Sequence, residues 1–569
     1  MTAILGINGP YHELAACLVK DGEIVAAAEE ERFNRIKHSK ESRVDNPDML
    51  PLDAISFCLS EAKMKLRDVD YIGYSLLPEK RLDKMRMCDK LETVGWGNQA
   101  GEELFYKKIV QVPGNLSHLA GSGISKKFIW LEHHLCHAAS AYLPSPFAES
   151  AILSVDGIGE NTTSYLGRGR GNEIEGLAEI CYPNSLGFLW EKLSKFLGFS
   201  EYDVYKVMGL SAYGSPTCKE EFDQIITKGE RGHFAVNNDI LKFRTEDYGE
   251  LKRLFGIKRR GKNGEIGGRH ADIASSLQKA TEEIMLHMCE FLKEETNSEN
   301  LCLGGGVALN CLANFRIQSE SGFKRIYIQP AANDAGTAIG SALYIWNILL
   351  KNKKRFHMRS PYLGPKFSNA EIWKVLGKEK KVTYAKIENI ERETAKILSN
   401  GQIVGWFQGR MEIGPRALGN RSLLADPRRA DMKDIINMKI KHREEFRPFA
   451  PSVLEEEAEN WFGIPKNAEA KEPGQMMLIT YPALRNNIPA VVHKDGTSRI
   501  QVVSKKINPK YHKLIQEFRE LTGVPLLLNT SFNNQEPIVC SPQDALNTFL
   551  KTDIDYLAMG DYLIKKRVD

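Results

Sequence analysis

The sequence predicts an α/β protein with a duplicated strand unit in its first part and a second α/β domain after it. Three observations carry that prediction. Residues 2–8 (TAILGIN) form an apolar strand, followed by a polar turn, a second apolar run at 15–20, the dipeptide Asp21-Gly22 and a third run at 23–28. Asp-Gly between apolar runs is a hairpin signal, so the chain opens as three consecutive strands. The pattern returns near residue 150: Ala3-Ile4-Leu5 with Gly9 is echoed by Ala151-Ile152-Leu153 with Gly157, and a second strand pair follows at 163–168 and 175–180. Such an echo marks two copies of one unit. Finally, residues 351–367 are basic and proline-containing, as a linker is, and a boundary near Pro361 separates residues 1–360 from 361–569.

Composition narrows the function classes. A hydrophobic share of 42% with 26% charged residues belongs to a globular chain that can build sizeable cores. The net charge of +4 over 569 residues supplies no global field for nucleic acid or membrane, so neither is an expected partner and any basic site is local. The ten cysteines include no CxxC pair, which speaks against a zinc ribbon or disulfide framework. The start MTAILGINGP lacks a basic n-region and an apolar h-region, and no apolar run reaches the ~18–20 residues of a membrane span; the expected compartment is the cytoplasm.

In chain order, His12 lies on the turn after the first strand, where a polar side chain faces a ligand or solvent. Residues 29–38 (EEERFNRIKH) read as a solvated helix start or loop. In 131–140 (LEHHLCHAAS), His133 and His137 are four apart, so on a helix they share a face and can converge on one metal ion, the other reading of the spacing being two packed or surface histidines. Asp156 opens the turn 156–160 of the second copy, where Gly157 and Gly159 let backbone N–H groups approach an anion. Lys206 is the one charge in YKVMGLSAYG; 251–269 is basic and glycine-rich, an expected exposed loop; 272–293 has the spacing of an amphipathic helix. In LCLGGGVALN, a strand, Gly304, Gly305 and Gly306 and a helix start leave amides bare for phosphate or adenosine, although no GK[ST] follows. The strand 325–329 then leads to Asp334. His133, His137, Asp156 and Asp334 together offer nitrogen and carboxylate donors that suit iron, zinc or manganese.

In the second domain, 390–399 predicts a helix stopped by Gly401, and 403–407 a strand. GRMEIGPRALGNR (409–421) and NMKIKHREEFRPFAP (437–451) then place Arg410, Arg416, Arg421, Lys441, Arg443 and Arg447 among glycines and prolines. Guanidinium forks on fixed loops match the oxygens of a doubly charged phosphate ester. The turns at 493–501 and 528–533 add hydroxyls and amides that could orient a small polar substrate.

These motifs, in order AEEERFNRIKH, HHLCHAA, VDGIGE, KVMGLSAYG, GGGVALN, NDAGTAIGSAL, GPRALGNRSLLADPR, IKHREEFRPFAPS, HKDGTSRIQ and LNTSFN, resemble end to end the O-carbamoyltransferase family of NodU and CmcH type, which includes the tobramycin, cephamycin and nodulation-factor enzymes. The resemblance implies an N-terminal actin/hexokinase-like domain (residues 1–360) for carbamoyl transfer and a C-terminal YrdC-like domain (361–569) for activation. It implies carbamoyl phosphate on Arg416, Lys441, Arg443, Arg447 and Arg499, with Asn529 and Ser531, and its conversion with Mg2+-ATP to carbamoyl adenylate. It further implies that the adenylate passes internally to the first domain, where Gly304, Gly305, Gly306, Asn310, Gly159 and Glu160 hold it. The divalent metal, iron (Fe2+) first and zinc or manganese as alternatives, takes His133, His137, Asp156 and Asp334. His12 is then the expected general base and Lys206 the charge that balances departing AMP; Arg416 and Lys441 act in the activating half. The acceptor is a hydroxylated small molecule, a natural product or sugar, shaped by 76–112 or 252–269; antibiotic biosynthesis is one setting, and a homodimer is left open.

Rival readings are a tRNA threonylcarbamoyladenosine-type modification, which demands a broad basic surface that +4 does not provide, and a nucleotide-gated actin-like module without group transfer, which leaves the HxxxH and the arginine-rich domain without a role. A sugar kinase of this fold would release ADP.

Overall fold

The computed structural model describes residues 1–88, 94–121, 123, 127–465 and 476–567; of the segment 76–112, residues 89–93 lie outside these. The chain divides into two compact units, Met1–Glu31 with His38–Met358, and Arg32–Lys37 with Arg359–Asp569. No helix among the described residues is long and apolar enough to cross a membrane.

In the first unit, β1 (Ala3–Asn8), β2 (Ala15–Lys20), β3 (Glu23–Glu29), β4 (Tyr71–Tyr74) and β5 (Phe128–Trp130) form a sheet of order β3-β2-β1-β4-β5. The first three strands are antiparallel and the last two are added in parallel. At the Asp21-Gly22 turn both residues have positive φ, 49° and 82°, as a tight hairpin requires. The second sheet repeats this arrangement with β6 (Glu149–Val155), β7 (Thr162–Arg170), β8 (Glu173–Cys181), β9 (Asn300–Gly304) and β10 (Arg325–Ile328), in the order β8-β7-β6-β9-β10. Here too β6 is antiparallel to β7 and parallel to β9. The sequence echo is thus a duplicated sheet, the topology of the actin/hexokinase-like class.

Five helices matter to the site: α1 (His133–Tyr142), α2 (Leu186–Phe196), α3 (Gly268–Thr296), α4 (Cys311–Glu320) and α5 (Ala335–Tyr344). Alanine, glycine and serine dominate α5, and this lets it pack almost backbone to backbone on α1. A Cβ on Gly340 would lie 1.8 Å from the Cys136 carbonyl oxygen, so no larger residue fits.

Two expectations change. The 29–38 cluster is solvated only in part: Glu29, Glu30 and Arg32 are buried, whereas Ile36 and Lys37 are exposed. Glu30 accepts the N–H groups of Asp53 and Ala54. Within the second unit, Arg32 donates to the Gly414 carbonyl at 2.9 Å, and Arg35 to those of Ile538 and Pro537 at 2.7 and 2.6 Å. Charge density reads as solvent exposure only until distant partners claim it. Residues 251–269 are an exposed loop only in part, since Gly249–Phe255 is helical with Leu251 and Phe255 buried, and Arg260 donates to the Leu197 and Gly264 carbonyls.

The second unit is α/β, as its resemblance to YrdC-like domains implies. Its mixed sheet comprises β11 (Val382–Lys386), β12 (Val404–Phe407), β13 (Arg421–Ala425), β14 (Ala450–Leu454), β15 (Gln501–Val503), β16 (Leu526–Ser531), β17 (Tyr556–Met559) and β18 (Tyr562–Lys566). Their order is β11-β18-β17-β12-β13-β16-β14-β15. Helices α6 (Ile390–Ser399) and α7 (Pro509–Thr522) belong to this unit, and α6 ends where Gly401 takes φ 80°.

Arg421 does not face a ligand. It is fully buried, lies 3.8 Å from the centroid of the Phe407 ring, and donates to the carbonyls of Gln408, Asn420, Pro365 and Cys540. Burial pushes its pKa down to about 10. Arg410 likewise donates to the Gly364 and Leu363 carbonyls. Arg421→Met is expected to cost about 3 kcal/mol or more in a denaturant titration, because several buried carbonyls lose their donor.

Candidate metal centre and anion pocket

Four side chains from three places in the first unit converge. His133 and His137 come from one face of α1, Asp156 from the end of β6, and Asp334 from the residue before α5. His137 Nε2 lies 3.1 Å from His133 Nε2 and 3.1 Å from Asp156 Oδ2. His133 Nε2 lies 3.6 Å from Asp156 Oδ2 and 3.4 Å from Asp334 Oδ1, and His137 Nε2 is 3.5 Å from Asp334 Oδ1. A tetrahedron with bonds of ~2.0–2.1 Å has edges of about 3.3–3.4 Å, so these separations fit a cation at their centre. The four form a candidate metal-binding site. Both histidines are fully buried and Asp334 nearly so.

Surrounding groups fix the donors. His133 Nδ1 faces the Ser75 carbonyl at 3.1 Å, which leaves Nε2 turned toward the centre. The His133 N–H and Leu77 N–H both donate to Glu160 Oε1, at 3.0 and 2.8 Å. Glu160 therefore anchors the start of α1 through this oxygen. Arg81 forms a buried two-point pair with Glu102, at 2.8 and 2.9 Å, and also donates to Tyr11 Oη and the Gly159 carbonyl. Tyr11 Oη in turn donates to the Gly159 carbonyl at 2.5 Å. The resulting electrostatics are those of tightly paired opposite charges. Burial alone would lower the pKa of His133, but Asp334 and Asp156 hold it well above the usual range. Against the pull of burial and of Asp334, the two histidines bring Asp156 down to about 2.

The glycine turn is not bare. Gly305 takes φ 80°, where a Cβ would meet the Val155 carbonyl oxygen at 2.2 Å, and Gly306 N–H donates to Asp156 Oδ1 at 3.1 Å. Asn310 caps α4 by accepting from Ala313 N–H and pairs with Gln278. Its side chain is thus spent inside the protein, a use that local sequence does not reveal. Gly304 packs against the His137 carbonyl. His12 Nδ1 lies 3.5 Å from Asp334 Oδ2; burial opposes its charge, yet Asp334 and Glu13 raise its pKa to about 9. Lys206 pairs with Asp203 at 3.2 Å.

In the second unit, Lys441 ends a π-helical turn, Ile436–Lys441. Such turns recur at functional sites. Lys441 is buried and donates to the carbonyls of Ser531 and Asn533 and to Asn533 Oδ1. Burial first, then Arg443, Arg447 and Lys37, push its pKa well down; an anion placed among these cations would reverse that. Asn529, earlier on β16, donates to the Ala417 carbonyl and to Gln501 Oε1, which ties the loop of Arg416 to the same strand. Glu412 shapes that loop by accepting from the N–H groups of Leu418, Asn420 and Arg421. Arg499 stands two residues before Gln501, and Arg443 donates to Asn437 Oδ1 at 2.7 Å. The sequence reading missed Glu412 and Ser75: Glu412 serves N–H groups of its own loop, and Ser75 meets a histidine far along the chain.

Two family models match the chain. Residues 3–343 match the family model described as carbamoyltransferase N-terminus, and 395–566 the one described as carbamoyltransferase C-terminus. An uncharacterized protein of Synechocystis sp. is 39% identical, covering 100% of this chain and 97% of that protein. Nodulation protein NolNO of Sinorhizobium fredii is 38% identical, covering 98% of this chain and 80% of its own length. Among solved structures, component A of the (R)-2-hydroxyglutaryl-CoA dehydratase of Acidaminococcus fermentans is a distant likeness: 16% identity, TM-score 0.32, 60% of this chain and 97% of that one. On the two family models and the identity to these relatives, the chain belongs to the carbamoyltransferase family and is a carbamoyl-transferring enzyme.

Proposed function

We propose that the enzyme hydrolyses carbamoyl phosphate with one water to carbamate and phosphate, joins the carbamate oxygen to the α-phosphate of ATP with release of pyrophosphate, and transfers the carbamoyl group of the resulting adenylate to a hydroxyl of a small acceptor. The observation that carries this reading is the cation cluster around Lys441, which donates to Ser531 and Asn533 oxygens and feels Arg443, Arg447 and Lys37 against the single opposing charge of Glu536. A small dianion such as carbamoyl phosphate supplies the balancing charge. Arg416, Arg499, Asn529 and Ser531 complete the set in this reading.

The adenylate is consumed on the first unit. A divalent cation on His133, His137, Asp156 and Asp334, iron foremost with zinc or manganese as alternatives, supplies Lewis acidity there. Gly159 and Gly304–Gly306 offer a close backbone approach to the adenylate. His12, beside Asp334, works as the nearest acid–base group, and Lys206 balances the phosphate charge as AMP leaves. ATP enters with Mg2+, and the acceptor is a hydroxylated natural product or sugar.

The test is pyrophosphate release from purified protein with Mg2+, ATP and carbamoyl phosphate. Release is expected to need both substrates and to fall ~10²-fold or more in Arg416→Ala, the scale on which preorganised charge acts. Release that ignores carbamoyl phosphate contradicts the reading.

A further inference from the structure

Glu191 sits at the middle of α2, beside the turn that carries Asp156. A Cβ on Gly157 would lie 3.9 Å from Glu191 Oε1 and 3.5 Å from the Phe188 ring. The residue is half-buried. Among the described residues, no hydrogen bond or ion pair engages its carboxylate, unlike the paired acids of the metal centre. Its oxygens are not among the sealed-off polar atoms of the protein, so a ligand hydroxyl can reach them.

The groups that face it are known. His12 on the first turn, Arg244 of a following loop and Lys195 on α2 itself favour its ionised form, and Glu201 opposes it. Tyr202 also feels its charge, and the Tyr202 ring lies 5.7 Å from that of His12. Arg244 stacks over Phe188 at 4.7 Å and Tyr182 at 5.1 Å. Glu191 is therefore within electrostatic reach of His12, on an aromatic wall suited to a small organic molecule. Burial is the largest influence on its pKa and raises it to about 7, the range in which a carboxylate serves as a base at neutral pH.

We propose that Glu191 receives the proton of the acceptor hydroxyl. Glu191 thereby replaces His12 as the base of the reading above, and His12, with Nδ1 toward Asp334, then orients the hydroxyl. The proposal rests on the carbamoyl adenylate reading above. As the acceptor oxygen bonds to the carbamoyl carbon, its O–H bond breaks and the proton passes to Glu191. The bond from that carbon to the AMP phosphate oxygen breaks, and its electron pair leaves with AMP. Product release returns the proton to solvent.

The experiment uses metal-loaded full-length protein with ATP and carbamoyl phosphate. Water and glycerol serve as probe hydroxyls, and hydroxylamine as a probe nucleophile that needs no base; enzyme-free rates are subtracted. Pyrophosphate release and carbamoyl transfer are measured for wild type and Glu191→Gln across pH 5.5–9. In the variant, pyrophosphate release is expected to stay within about twofold, and metal content at the wild-type value reports a folded first unit. Transfer to water and glycerol is expected to drop ~10²-fold or more, as loss of a general base does, and the fall in rate below about pH 7 disappears. Transfer to hydroxylamine persists. Unchanged transfer to glycerol, or equal loss with glycerol and hydroxylamine, overturns the proposal. So does a wild type that releases pyrophosphate yet transfers to neither hydroxyl. Absence of pyrophosphate in the wild type instead defeats the adenylate reading itself.

Discussion

His137→Ala is expected to abolish stoichiometric metal binding and to lower carbamoyl transfer by ~10³-fold or more, because Lewis acidity of several kcal/mol is lost with the ion. The imidazole lies within 3.1–3.5 Å of the other three donors, so no neighbour replaces it. Asp334→Asn tests the same centre from the carboxylate side, and it also frees His12 from its ion pair. Metal content by elemental analysis and the visible bands of a cobalt-loaded sample provide readouts independent of turnover. Uptake should strengthen as pH rises, since Asp334 and Asp156 favour a proton on His133 and that proton must leave before the nitrogen can ligate. Pyrophosphate release, which belongs to the other unit in this account, is expected to survive both substitutions. Wild-type metal content in either variant contradicts the assignment.

Lys441→Met is expected to have the opposite selectivity. Pyrophosphate release falls ~10²–10³-fold, on the scale of losing a preorganised charged donor, while metal content stays at the wild-type value. Lys441→Arg is not expected to rescue it, because the ammonium sits among the Ser531 and Asn533 oxygens at distances a planar guanidinium cannot reproduce. A Met variant that still releases pyrophosphate at the wild-type rate removes Lys441 from the activating site.

Much of this centre was legible in the sequence because it depends on local patterns. His133 and His137 share a helix face by their spacing, and Asp156 and Asp334 follow apolar runs. The duplicated sheet showed in the echo between residues 3–9 and 151–157. The roles of arginines and acids were less legible. Arg416 and Arg421 sit in one motif and look equivalent, yet Arg421 on β13 turns inward and holds carbonyls together. Glu160 and Asn310 look like ligand contacts in glycine-rich turns, yet each satisfies backbone N–H groups at a helix start. Buried amides must find acceptors, and which acid supplies one is settled by contacts between segments far apart in the chain. The same holds for the bidentate pair of Arg81 and Glu102. Glu191 escaped notice in the sequence because its defining property is an absent partner.

ATP labelled in its α-phosphate, followed with and without carbamoyl phosphate, separates adenylation from phosphoryl transfer. The label is expected in carbamoyl adenylate and AMP, with one pyrophosphate released per labelled product, only when carbamoyl phosphate is present. Labelled ADP as the product, or AMP formed without carbamoyl phosphate, would contradict the account.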